Sequence, residues 1–138
     1  MSNWTHVAAI ARIDHIVILG TPEIDFEEIF GKEILYETDE ELWEEAKEHP
    51  ERFLPMGSEG SLRMNVWVNS NPHAAARYTV SIFGDLRDHD DAYGITVWFE
   101  KKIEWLAMIG ISIRQAIVTA HNEKYGYASW SYGDDDVR

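Results

Sequence analysis

The sequence predicts an α+β domain in which helices pack on one face of an antiparallel sheet. The arrangement expected is a ferredoxin-like split βαβ fold with an extra C-terminal strand. Three observations predict it. Short apolar or alternating runs recur along the chain, helical periods fall between them, and Gly, Pro and Asn clusters separate the two. The order read from these signals is strand, helices, strand, strand, helix, strand, strand.

Val7 to Ile13 is short and apolar at every position but Arg12, which predicts a central strand covered on both faces. His15 to Leu19 either prolongs it or forms a second short strand, and periodicity leaves both open. Thr21 and Pro22 suit a helix start. Phe26, Ile29 and Phe30 fall at helical spacing, with Gly31 as the stop. A second helix begins near Thr38 or Asp39, either of which suits its N-cap. It carries Leu42, Trp43 and Ala46 on one stripe and ends before Pro50. Leu62 to Asn69 alternates, so Leu62, Met64, Val66 and Val68 are expected toward a core and Arg63, Asn65, Trp67 and Asn69 away from it.

Asn69-Ser70-Asn71-Pro72 marks a turn into a strand from Arg77 to Phe83, making a hairpin. Here Tyr78, Val80 and Ile82 share one face, and Arg77, Thr79, Ser81 and Phe83 the other. From Asp91 to Met108 the period is helical through Ile95, Trp98, Phe99, the stem of Lys102, Ile103 and Leu106. Asp88 or Asp90 is the expected cap and Gly110 the expected end. Ile113 to Glu123 and Tyr127 to Tyr132 read as a hairpin around Lys124-Tyr125-Gly126. One domain over residues 1–133 and a loose acidic tail over 134–138 complete the expectation.

The chain has 138 residues, 17 of them aromatic, enough to form a core without staples. It has no cysteine, which removes disulfides, thiolate metal sites and a cysteine nucleophile, and fits a reducing, cytoplasmic setting. No stretch of the sequence has the length and apolarity of a membrane span.

The net charge of −13 is concentrated. Between Pro22 and Glu51 stand 13 acids against Lys32 and Lys47, a balance of −11, whereas the rest of the chain comes to −2. Such a balance repels phosphate backbones and anionic membranes and attracts a basic surface. The alternative is a solvated helix face that keeps the protein soluble.

Ser81 to Asp91 holds the densest set of ligand-type side chains, at the end of a strand and the start of a helix. Asp85, Asp88 and His89 would suit magnesium or manganese as oxygen ligands with one imidazole, and hence a metal-dependent phosphoester hydrolysis. Equally, carboxylates in that place cap a helix and complement its dipole, with no cofactor required. His121 would add a second imidazole or a general base if its strand neighboured this stretch. Neither Ser58 nor the Gly57 and Gly60 pair has the strand-turn-helix context of a nucleophile or phosphate loop. No catalytic residue is assigned.

Two segments, Glu51 to Leu62 and Tyr78 to Asp91, resemble segments of small uncharacterised proteins carried by bacterial phages and mobile elements. The resemblance implies a setting in which small, acidic, cysteine-free proteins block host defence machinery, anti-CRISPR proteins among them. It supplies no catalytic residues.

Three functions follow as expectations. The first is a non-enzymatic binding protein whose Glu40, Glu41, Glu44, Glu45 and Glu48 occupy a basic surface of a host defence or nucleic-acid-binding protein. The second is the metal-dependent hydrolase on Asp85, Asp88 and His89. The third is a ligand binder or self-associating scaffold, with a second copy as partner, using Arg63, Asn65, Trp67, Arg77 and Phe83 on an open sheet face.

Overall fold

A computed structural model describes residues 2–16, 24–34, 40–70 and 75–133. Strand β1 (Trp4–Ile16) is followed by helices α1 (Phe26–Phe30) and α2 (Glu40–Glu48) and a 3₁₀ turn (Pro50–Arg52). Strands β2 (Leu62–Ser70) and β3 (Ala75–Arg87), helix α3 (Ala92–Met108), and strands β4 (Ser112–Asn122) and β5 (Gly126–Gly133) complete it. The sheet runs β2-β3-β1-β4-β5, every neighbouring pair antiparallel. This is the split βαβ order with β5 added beside β4. The readings at Val17–Leu19, Thr21, Pro22, Thr38, Asp39, Asn71, Pro72 and the tail 134–138 lie outside the described residues.

The core lies between the sheet and the helices. Val7, Ala9, Ala11 and Ile13 of β1, Val80 and Ile82 of β3, and Ala116, Val118 and Ala120 of β4 turn inward at alternate positions. Onto them α3 lays Ile95, Phe99, Ile103 and Leu106, spaced four, four and three residues apart on one helical stripe. Each of these buried side chains stabilises the fold by about 1.5–3 kcal/mol through the area it removes from water. Phe30 of α1 stacks on Phe99, and Gly31 ends α1 as its spacing predicts. Helix α2 belongs to a satellite cluster of Ile34, Ala46 and Phe53, with Leu42, Trp43 and Met56 against it.

Three expectations are corrected. Strand β1 is central but covered on one face only: Ala8, Ile10 and Arg12 are exposed on the other. A mostly apolar run is also what a strand shows when its uncovered side carries Ala8 and Ile10 before Arg12. On β2, Leu62 is buried and Met64 packs on the core, but Val66 and Val68 are 38% and 58% exposed. Alternation assigns a face; at this edge strand the described helices do not extend over its far half. The cap of α3 is Asp91, whose carboxylate accepts the Gly94 amide at 2.7 Å, not Asp88 or Asp90.

Candidate functional site

The stretch after β3 is held by a buried polar knot. Thr5 and Asn122, both fully buried, face each other across β1 and β4. The Asn122 amide donates to Thr5 Oγ1 at 2.9 Å and to the His89 carbonyl at 3.3 Å, and Thr5 Oγ1 donates to the same carbonyl. Asn122 Oδ1 accepts the backbone amides of Lys124 and Tyr125, fixing the β4–β5 turn. Asp88 turns the chain at φ 57, its amide donating to the Asn3 carbonyl, while Asn3 donates to Asp90 Oδ1 at 2.7 Å.

This geometry separates the three residues of the metal reading. Asp85 projects from the sheet and meets His6; Asp88 accepts Ser58 Oγ at 2.8 Å; His89 contributes its carbonyl to the knot, and its Nδ1 is buried without a hydrogen bond among the described residues. Among the described residues no group of three or more His, Cys, Asp or Glu is placed to hold a metal ion.

His6 is the residue that sequence reasoning missed. Strand β1 lies between β3 and β4, so His6 stands opposite both Asp85 and His121. His121 therefore does not reach the Asp85 stretch. His6 Nδ1 lies 2.6 Å from Asp85 Oδ1, its Nε2 lies 3.1 Å from Glu123 Oε2, and its ring is 6.2 Å from that of His121. The hydrogen bonds that its ring donates to Asp85 and then Glu123 raise its pKa above the ordinary histidine value. The missing signal was register: only once Thr5 pairs with Leu86 and Asn122 does His6 fall between two carboxylates.

On the uncovered face the register assembles the expected set. Arg63 pairs with Phe83, Asn65 with Ser81 and Trp67 with Thr79, and Asn69 with Arg77 at the hairpin end. Trp67 is 71% exposed and Phe83 48%, with Ile10 and Ile117 exposed beside them. Arg63 is engaged by Glu33 at 3.5 Å, and Glu33 also accepts the Met64 amide at the sheet edge. At one end of this face a cavity of about 360 Å³ is lined by Arg12, Asp14, Trp67, Arg77, Thr79 and Arg114, among others.

The acidic helix α2 projects Glu40, Glu41, Glu44 and Glu48 outward, with Glu45 half-buried. Glu44 pairs with Lys47 at 3.3 Å and Glu45 with Arg52 at 3.6 Å. Glu40, Glu41 and Glu48 have no cationic partner among the described residues. On the helical side a groove of about 440 Å³ runs between Glu28, Ile29, Trp98, Lys101, Lys102 and Trp105, and burial pushes the Lys102 amine below its ordinary pKa.

No family model matches the chain, and no curated protein does. Among solved structures, one described as a phage SAM lyase in the apo state is similar at 12% identity and a TM-score of 0.38, over 95% of this chain and 91% of that one. At that distance the likeness assigns neither activity nor residues here. Among the described residues no helix is long and apolar enough to cross a membrane.

Proposed function

We propose that the protein acts by binding, as a phage or mobile-element inhibitor that sets α2 against a basic surface of a host defence or nucleic-acid-processing protein. The observation that carries this is the state of α2. Its apolar stripe is spent on the satellite cluster, and Glu40, Glu41 and Glu48 stay exposed with no neutralising partner among the described residues. Clustered like charges steer a complementary surface into contact and set the salt dependence of the encounter.

The test is affinity capture from a bacterial lysate with salt elution and mass spectrometry, run beside a variant carrying Glu40→Lys, Glu41→Lys, Glu44→Lys and Glu48→Lys. A nucleic-acid-binding protein retained at low salt, and not retained by the variant, supports the reading. Equal retention by both sinks it.

A second reading is favoured by the register that gathers Trp67, Phe83, Ile10 and Ile117 on one uncovered face. Aromatic and arginine side chains are those that dominate binding energy in interfaces. Here the sheet face itself is the binding surface, for a ligand or for a second copy of the chain.

A further inference from the structure

We infer that the end of the open sheet face is a binding site for a small phosphorylated ligand with a planar ring, of the nucleoside 5′-monophosphate class. The inference rests on the second reading above and names the ligand.

Charge comes first. In a chain of net charge −13, three of the seven arginines converge on one cavity: Arg12 from β1, Arg77 from β3 and Arg114 from β4. The one carboxylate among the described lining residues is Asp14, so these residues carry a balance of +2. Asp14 lies 3.7 Å from Arg77 Nε and 3.4 Å from Arg114 Nε, both longer than the about 2.7–2.9 Å of a charge-assisted hydrogen bond. It orients the two guanidinium groups without saturating their donors. Arg12 gives one N–H to Gln115 at 3.1 Å and makes no other hydrogen bond among the described residues. Planar, permanently charged forks of this kind match phosphate oxygens in pairs.

The ring comes second. Trp67 forms one wall and is 71% exposed, a large apolar plane left in water beside the arginines. An indole in that place is a stacking platform for a base.

Size and field then select a free nucleotide over a strand. The cavity of about 360 Å³ is within the range of small-ligand pockets, about 300–1,000 Å³. A long polyanion would feel the whole acidic molecule. A mononucleotide feels chiefly charges within a Debye length, about 8 Å at physiological salt.

The experiment is an NMR titration at about 0.15 M salt, where that screening holds, following backbone amides and indole N–H signals, with 5′-AMP, adenosine and inorganic phosphate as separate probes. AMP is expected to bind at least about tenfold tighter than either fragment, shifting the Trp67 indole and the β1, β3 and β4 signals around Arg12, Arg77 and Arg114. Trp67→Ala should remove the advantage of AMP over phosphate. Arg12→Gln with Arg77→Gln should weaken AMP and phosphate alike, with the spectrum otherwise unchanged.

AMP binding no tighter than phosphate, or indifferent to both variants, overturns the assignment. If AMP fails while the Trp67 signal moves with protein concentration, the face is a contact between copies and only the ligand is wrong. If neither occurs, the sheet-face reading falls with it.

Discussion

Replacing Asn122 with Ala tests the claim that one buried amide holds the stretch from Arg87 to Asp91 against β1 and β4. Four hydrogen bonds are lost: two donated, to Thr5 and His89, and two accepted, from Lys124 and Tyr125. The two turn amides are partly buried and recover some hydration. Thr5 Oγ1 still donates to His89, so that carbonyl is not orphaned.

What remains is the partial desolvation of the freed groups and a small void at a fully buried position, together about 2–4 kcal/mol. With an unfolding entropy of about 2.1 cal/mol/K per residue, each kcal/mol lowers the Tm of this chain by about 3–4 °C, so a fall of about 7–14 °C is expected. Urea unfolding followed by tryptophan fluorescence gives the free energy, and circular dichroism the Tm. Thr5→Val, alone and combined with Asn122→Ala, closes a double-mutant cycle whose coupling should exceed about 0.5 kcal/mol. A loss below about 0.5 kcal/mol for Asn122→Ala, or strict additivity, would refute the knot.

Two further outcomes follow from other positions. His6 is exposed enough for salt to screen it, but its direction is definite. Its folded pKa is raised, so its stabilisation is fully present below the unfolded value of about 6.5 and is lost as pH rises through the folded one. A neutral imidazole donates to only one of Asp85 and Glu123. Melting temperature should therefore fall from pH 6 toward pH 8 by an amount absent in His6→Gln and reduced by salt; parallel curves for the two proteins would refute the bridge. Gly60 has φ +81, and a Cβ there would sit 2.1 Å from the Asp85 carbonyl oxygen, whereas Gly110 has φ +93 and open space around it. Gly60→Ala should destabilise by more than the about 1–3 kcal/mol of backbone strain alone, and Gly110→Ala by no more than that strain. Equal losses in urea unfolding would show that the close approach of the Gly60 loop to β3 is immaterial.

The split βαβ order was legible because each element has its own period. Leu62 to Val68 alternates, α3 repeats at Ile95, Phe99 and Ile103, and Gly31 and Gly110 lie where helices stop. Coverage was not legible. Whether Val66 or Val68 is buried depends on how far a helix from elsewhere in the chain extends, and whether Ile10 is buried depends on which sheet face the helices cover, neither of which a local pattern records. The sheet-face set was partly legible, since alternation places Trp67 and Phe83 on one side of their strands. The arginine cluster was not: Arg12, Arg77 and Arg114 are 65 and 37 residues apart and meet only through register. For the same reason the Asp85 stretch looked like a ligand set in one dimension and disperses in three.

Arg114 holds its place through an irregularity. Arg12 pairs with Gln115 and Ile13 with Ile113, so the residue between them on β4 has no opposite number. Ile113 packs against the core, Gln115 stays exposed opposite Arg12, and Arg114 swings out to Asp14. Excising Arg114 would leave every other pairing of these two strands as it is and convert a bulged ladder into a plain one. The position is a graft on the scaffold. A lineage could gain or discard this cation by a single-codon insertion or deletion, with no other strand residue changing faces.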